Sequence, residues 1–190
     1  MDKSSLLRKG LRLEYATLGW NVVGCFVVIA SAISSKSVAL AGFGVDSVIE
    51  IFASIVVVWQ LKSINRDKEK FAEKLIGVAF LFLAVYIAIQ SLIVLLNRFH
   101  PDSSKSGIIW LFFTAIAMFL LASGKSRVGK KLGNSVLLKE SKVTVVDGLL
   151  AVSVLLGISL NRLFGFWWAD PLAGFVIVYY GFKEGVSALR

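Results

Sequence analysis

Apolar residues along this chain gather into six long runs, at about 11–33, 38–61, 71–96, 107–122, 143–163 and 167–189, separated by short polar connectors. The hydrocarbon core of a bilayer is about 30 Å thick and takes about 20 helical residues to cross. Most of these runs have that length. They are continuous rather than alternating, which excludes the ten-residue, two-faced strands of a membrane barrel. The pattern predicts an all-α protein, a six-helix transmembrane bundle forming a single transmembrane domain over residues 1–190. The basic stretch from Met1 to Arg12 precedes an apolar run that is too long for a signal peptide and lacks a small-residue cleavage site.

Composition agrees. Hydrophobic residues make up 57% and charged residues 17% of the chain, with a mean hydropathy of +0.79, which excludes a soluble domain. Charge adds orientation. The N-terminus carries Lys3, Arg8, Lys9 and Arg12. The second connector carries Lys62, Arg66, Lys68, Lys70 and Lys74, and the fourth Lys125, Arg127, Lys130, Lys131, Lys139 and Lys142, while Lys183 and Arg190 close the chain. The other side has only Lys36, Arg98, Lys105 and Arg162. That asymmetry predicts cytoplasmic termini. It also accounts for the net charge of +9 without nucleic acid, since no aromatic side chains group beside the basic residues for stacking.

The smaller features read as structural. Gly124 to Ser135 lacks phosphate-loop spacing and reads as a solvated basic connector able to touch anionic lipid headgroups. Arg66 to Lys70 reads as a mixed-charge connector. Trp110, Trp167 and Trp168 fall at span ends, where interfacial anchoring is expected. Cys25 is a packing residue in an apolar run, and His100 beside Pro101 and Asp102 is a surface histidine. Asp170-Pro171 marks a helix start, with proline in the first turn and the aspartate as cap.

Polar residues within the spans carry the chemistry. Asp46 and Glu50 share the second span. Four residues apart on a helix, they are offset by about 40° and about 6 Å of rise, so both can reach one point. A carboxylate at mid-membrane costs roughly 2.5–3.5 kcal/mol on insertion scales, and two together call for a reason. No span shows a central Lys or Arg to neutralise them, which leaves a bound cation or protonation. Asp147 lies in the fifth span, with Thr144 about one turn and Glu140 about two turns before it. The small residues Gly148, Ala151, Ser153 and Gly157 around it predict a close approach to the second span. In the first span, Glu14 sits near the inner surface within reach of Lys9 or Arg12, and Asn21 is placed to bridge helices or offer a carbonyl oxygen. Gln90 reads as interhelical glue.

Three stretches carry a resemblance. Ser37-Val-Ala-Leu-Ala-Gly-Phe-Gly-Val-Asp46-Ser-Val-Ile-Glu50, Val143-Thr-Val-Val-Asp147 through Gly157, and Trp168-Ala-Asp-Pro-Leu-Ala-Gly174 resemble the second-span motif, the fifth-span motif and the start of span six of the cation diffusion facilitator family. The chain is similar to its transmembrane domain in a short form lacking the cytoplasmic C-terminal domain. The resemblance implies a homodimer that exports divalent metal ions in exchange for protons, with no prosthetic group. Its site takes two ligands from span two and two from span five. Asp46, Glu50 and Asp147 fill three positions. Val143 stands at the fourth, where the family has His or Asp, leaving Glu140, Thr144 or Asn21 as substitutes. The family favours zinc, whereas an all-oxygen set suits a harder ion such as manganese.

The expected function is therefore divalent cation efflux across the plasma or inner membrane, by proton antiport with alternating access. The rival is a non-transporting metal-binding or assembly module of the same fold. An enzyme finds no Ser/His/Asp set or histidine cluster in the spans. A proton- or sodium-coupled carrier of an organic solute is a further rival.

Overall fold

The computed structural model describes residues 3–35, 38–62, 66–98 and 105–189. These residues form six helices: α1 (Lys3–Ser35), α2 (Val38–Lys62), α3 (Arg66–Asn97), α4 (Lys105–Leu132), α5 (Ser135–Phe164) and α6 (Ala169–Leu189). No strand occurs among the described residues. Among the described residues five helices, α1 to α5, are long and apolar enough to cross a membrane.

The packing has two parts. α1, α2, α5 and α4 close into a ring, each touching the next, and the contact of α2 with α5 is one of its sides. α3 and α6 form a pair along the flank of α2 and α5. Gly10 on α1 approaches Leu61, Val128 and Leu137, and Gly77 on α3 approaches Ala188. The start of α1 and the end of α6 therefore lie at the same end of the bundle, together with Lys62 of α2, Lys125, Arg127, Lys130 and Lys131 of α4, and Lys139 and Lys142 of α5. We call this the basic end.

The outer surface is apolar. Phe26, Phe82, Leu96, Leu120 and Leu163 are each about 70–80% exposed, and every helix carries outward-facing large hydrophobic residues. The interior holds buried acids and amides. A soluble fold inverts this distribution, and lipid tails on the outside account for it.

The α4–α5 connection departs from the sequence expectation. Gly124 to Leu132 is helical, and α4 stops only at Gly133, whose φ is +63°. Asn134 N–H bonds to Gly129 O at 3.0 Å and Gly133 N–H to Lys130 O at 3.3 Å, the double bond pattern that ends a helix on a left-handed glycine. Asn134 then caps α5, its Oδ1 accepting from Leu137 N–H at 2.8 Å, while its Nδ2 donates to Gln60 Oε1 on α2 at 3.1 Å. The expected solvated connector is thus two helical turns and a tight hairpin. Gly124 and Gly129 inside α4 serve close packing, against Leu13 and Leu138.

Among the tryptophans, Trp110 stacks on Trp20 with ring centroids 4.9 Å apart, tying α4 to α1 rather than standing free at an interface. Trp168 is exposed beside the α5–α6 turn, as an anchor should be. Pro171 lies in the first turn of α6 as expected, and the Asp170 side chain lies outside the described residues, as do those of residues 66–69 and His100.

Candidate membrane cation site

The ring's interior holds a column of ionisable side chains. α2 contributes Asp46 and Glu50, α5 contributes Glu140, Thr144 and Asp147, α1 contributes Glu14 and α4 contributes Lys125; all are 0–2% exposed. Helical spacing builds the column. Asp46 and Glu50 fall on one face of α2, and Glu140, Thr144 and Asp147 follow one another at steps of four and three along α5. With a rise of about 1.5 Å per residue, Glu140 sits about 8 Å and Asp147 about 18 Å from the start of α5, and Asp46 about 12 Å from the opposite end of α2. The column therefore runs from near the basic end past mid-membrane.

It has two tiers. The deeper tier is Asp46 with Asp147, whose carboxyls lie side by side across the α2–α5 contact. Asp46 Oδ2 and both oxygens of Asp147 have no hydrogen-bond partner among the described residues. The tier nearer the basic end centres on Lys125. Its Nζ donates to Glu140 Oε1 at 2.5 Å and to Thr144 Oγ1 at 3.0 Å, and lies 3.2 Å from Glu14 Oε2. Thr144 joins Glu50 to the Lys125 tier: its hydroxyl accepts from Lys125 and donates to Glu50 Oε1 at 2.8 Å.

Lys125 corrects three sequence expectations. It is not in a solvated connector. The spans do contain a basic partner for the buried acids. Glu14 pairs with Lys125 rather than with Lys9 or Arg12. The approach of α2 to α5 also has another cause than expected for one residue, since Gly148 faces Met118 and Phe119 of α4. Asn21 is buried with its Nδ2 unpartnered, and no hydrogen bond joins it to the acids. Gln90 donates to Tyr86 Oη at 2.9 Å within α3 and abuts Gly42 of α2. Val143 is buried at 2% in the hydrophobic core.

The family model for the cation efflux transmembrane domain matches residues 15–190. The chain belongs to that family. Transmembrane protein 163 of Xenopus laevis is similar, 23% identical over 185 residues that cover 93% of this chain and 66% of that protein. The chain thus spans just under two thirds of that curated relative. The cation efflux family is one of cation transporters, and the chain is an integral membrane protein.

Asp46, Glu50 and Asp147 are all buried on α2 and α5, which pack together, but they do not form one closed cluster. Among the described residues no three His, Cys, Asp or Glu side chains stand close enough together to hold a metal ion. Asp46 and Asp147 face each other, while Glu50 is turned toward Thr144. One further element went unread in the sequence: a small pocket lies between α2, α3, α5 and α6. Tyr86, Gln90, Ser91 and Ser153 line it, and Tyr86 lies within electrostatic reach of Asp46. Tyr86, Gln90 and Ser91 are spaced by four and one along α3 and mark a polar edge on the apolar part of that helix.

Proposed function

We propose that this chain exports a divalent cation through the ring of α1, α2, α4 and α5, binding it at Asp46, Glu50 and Asp147 and returning protons on the same carboxyls. The observation that carries the reading is a charge imbalance: the described residues bury five carboxyls against one ammonium. Burying an unpaired carboxylate in a medium of low dielectric costs several kcal/mol. Protons or a cation have to balance the remainder, and alternation between the two is proton-coupled exchange. The donor-free oxygens of Asp46 and Asp147 supply the facing ligands, and a rotation of Glu50 away from Thr144 adds a third. All three offer hard oxygen, which suits manganese, while the family favours zinc. Alternating access follows from rocking of the α3–α6 pair against the ring, with the cavity beside Asp46 as the path on the side away from the basic end. The basic end faces the cytoplasm by its excess of Lys and Arg, the membrane is the plasma or inner membrane, and the functional unit is a homodimer.

Flux into vesicles tests this reading. Asp46→Asn and Asp147→Asn keep the side-chain shape and remove the charge, and each should reduce Zn²⁺ and Mn²⁺ flux to the background of empty vesicles. Undiminished flux in both variants would remove the proposal. A second reading is favoured by Val143, which puts a core aliphatic where a fourth ligand belongs: a membrane module that binds metal or partners without transport. Calorimetric titration read beside the flux assay separates the two: the transporter should bind micromolar Zn²⁺ or Mn²⁺ and carry what it binds, whereas the module would bind without flux or not bind at all.

A further inference from the structure

Lys125 is the one Lys or Arg among the buried described residues. A lysine near a membrane surface ordinarily extends its stem outward and keeps its ammonium in water. Lys125 does the reverse. Side chains lean toward a helix's N-terminus, and that of α4 is at the end away from the basic end. The stem therefore leans deeper, away from the basic end, and its contacts with Glu14, Glu140 and Thr144 place it inside the ring. The ammonium meets Glu140 and Glu14 directly and reaches Glu50 through the Thr144 hydroxyl. Three carboxyls surround one ammonium, and Glu14 Oε1, Glu140 Oε2 and Glu50 Oε2 still lack a hydrogen-bond donor. The ammonium thus stands where a cation moving from the basic end toward Asp46 has to pass.

We propose that Lys125 is a tethered counter-ion that competes with the transported cation for Glu50, with Thr144 as the link. It is a positioning residue, and the proposal rests on the cation-transport reading above. With the site unloaded, Lys125 and Thr144 hold Glu50 toward the basic end, so Asp46 and Asp147 lack their third ligand. A divalent ion that draws Glu50 across repels the ammonium. Lys125 then keeps Glu14 and Glu140, two carboxylates that hold it in either condition. When the ion leaves, Thr144 recaptures Glu50. A fixed positive charge beside the site weakens ion binding and promotes release, so removing it should tighten binding and slow turnover. A merely structural lysine would give the opposite, weaker binding.

The test uses the full chain in lipid nanodiscs, with Zn²⁺ and Mn²⁺ as probes. Lys125→Met should bind the ions roughly tenfold more tightly, within the 5–150-fold usual for coupled sites, and carry them more slowly into vesicles. Lys125→Arg should stay near the unmodified protein. The double variant Lys125→Met with Glu140→Gln removes both members of the pair, which a buried site tolerates better than the loss of one, and should also bind more tightly. Unchanged or weaker binding in whichever of these folds would overturn the proposal. The unmodified protein gives an independent readout: the ¹⁵N resonance of the Lys125 ammonium, assigned with Lys125→Arg, should shift on saturation with Zn²⁺. A resonance indifferent to saturating Zn²⁺ would equally overturn it. If Asp147→Asn loses binding while Lys125→Met binds as before, only the counter-ion proposal falls. If the unmodified protein binds neither ion, the transport reading falls first.

Discussion

The ring and the α3–α6 pair are built from the same apolar vocabulary but packed by different means. Of the seventeen buried polar or charged residues described, only Ser91 belongs to α3 or α6. The pair closes instead on small residues. A Cβ at Gly185 would meet Leu81 Cγ at 2.8 Å and Gly77 O at 3.1 Å, and a Cβ at Gly77 would meet Ala188 Cβ at 2.8 Å. Lipid tails are as apolar as leucine, so helices in a membrane adhere through close backbone approach or through polar contacts. The pair uses the first device, and the ring adds the second to glycine contacts such as Gly124 against Leu13. A seam of glycines needs no charge, whereas buried charge is costly. That is why the charges in the ring point to function rather than to assembly.

The comparison breaks most sharply at the ion pair. Replacing Glu14 and Glu140 together by Gln leaves Lys125 buried with Glu50 as its nearest carboxyl, one hydroxyl away. Loss of the partners of a buried charge costs about 3–5 kcal/mol, and the figure here should sit near the lower end because Glu50 is within reach. Denaturant unfolding in detergent, followed by helical circular dichroism, measures it. A loss under about 1 kcal/mol would mean that the ring, like the pair, is held by packing alone.

Steric overfilling of the pair should cost less. Gly185→Leu forces α6 off α3 at the Gly77 contact, and overpacked substitutions typically cost about 1–3 kcal/mol. The same unfolding assay checks the size. The location is checked by divalent binding, which should persist because the acids lie in the ring. Binding lost together with stability would show that the two regions are not separable.

The division between ring and pair was only partly legible in the sequence. The helices were, because a bilayer imposes runs of about 20 apolar residues and leaves little freedom elsewhere. Asp46 and Glu50, and the Glu140–Thr144–Asp147 series, were legible from spacing alone. Lys125 was not. Hydropathy falls after Ala122, so the lysine reads as the beginning of a loop, and Gly124 and Gly129 strengthen that impression. The stop signal that mattered was Gly133-Asn134, a left-handed glycine followed by an N-cap, and it lay two turns further on. The pairing of Glu14 with Lys125 was beyond reach for another reason. It joins residues more than a hundred positions apart, and only the packing of α1 on α4 brings them together. The glycine pair Gly181 and Gly185, four apart on α6, is a packing signature that the functional reading of span six passed over.

The mildest disturbance concerns what ties the two regions at the basic end. Lys139 on α5 pairs with Glu73 on α3 at 3.0 Å, and Lys142 on α5 pairs with Glu184 on α6 at 2.6 Å. Both are ion pairs of the same chemical kind as Lys125 with Glu140, yet their side chains are 22–55% exposed. Water and salt screen such charges, and exposed pairs contribute about 0–1 kcal/mol. Lys139→Ala, the less exposed of the two, should cost a few tenths of a kcal/mol at low salt, and Lys142→Ala less. Both losses should vanish at high ionic strength, while that of the Glu14 and Glu140 double variant should persist, because salt does not reach a pair with 0% exposure. Measuring all three variants at two salt concentrations turns the contrast between ring and surface into one number each. A salt-sensitive loss at Glu14 and Glu140 would show that water enters the ring from the basic end, and the column would then be an open inward path rather than a closed one.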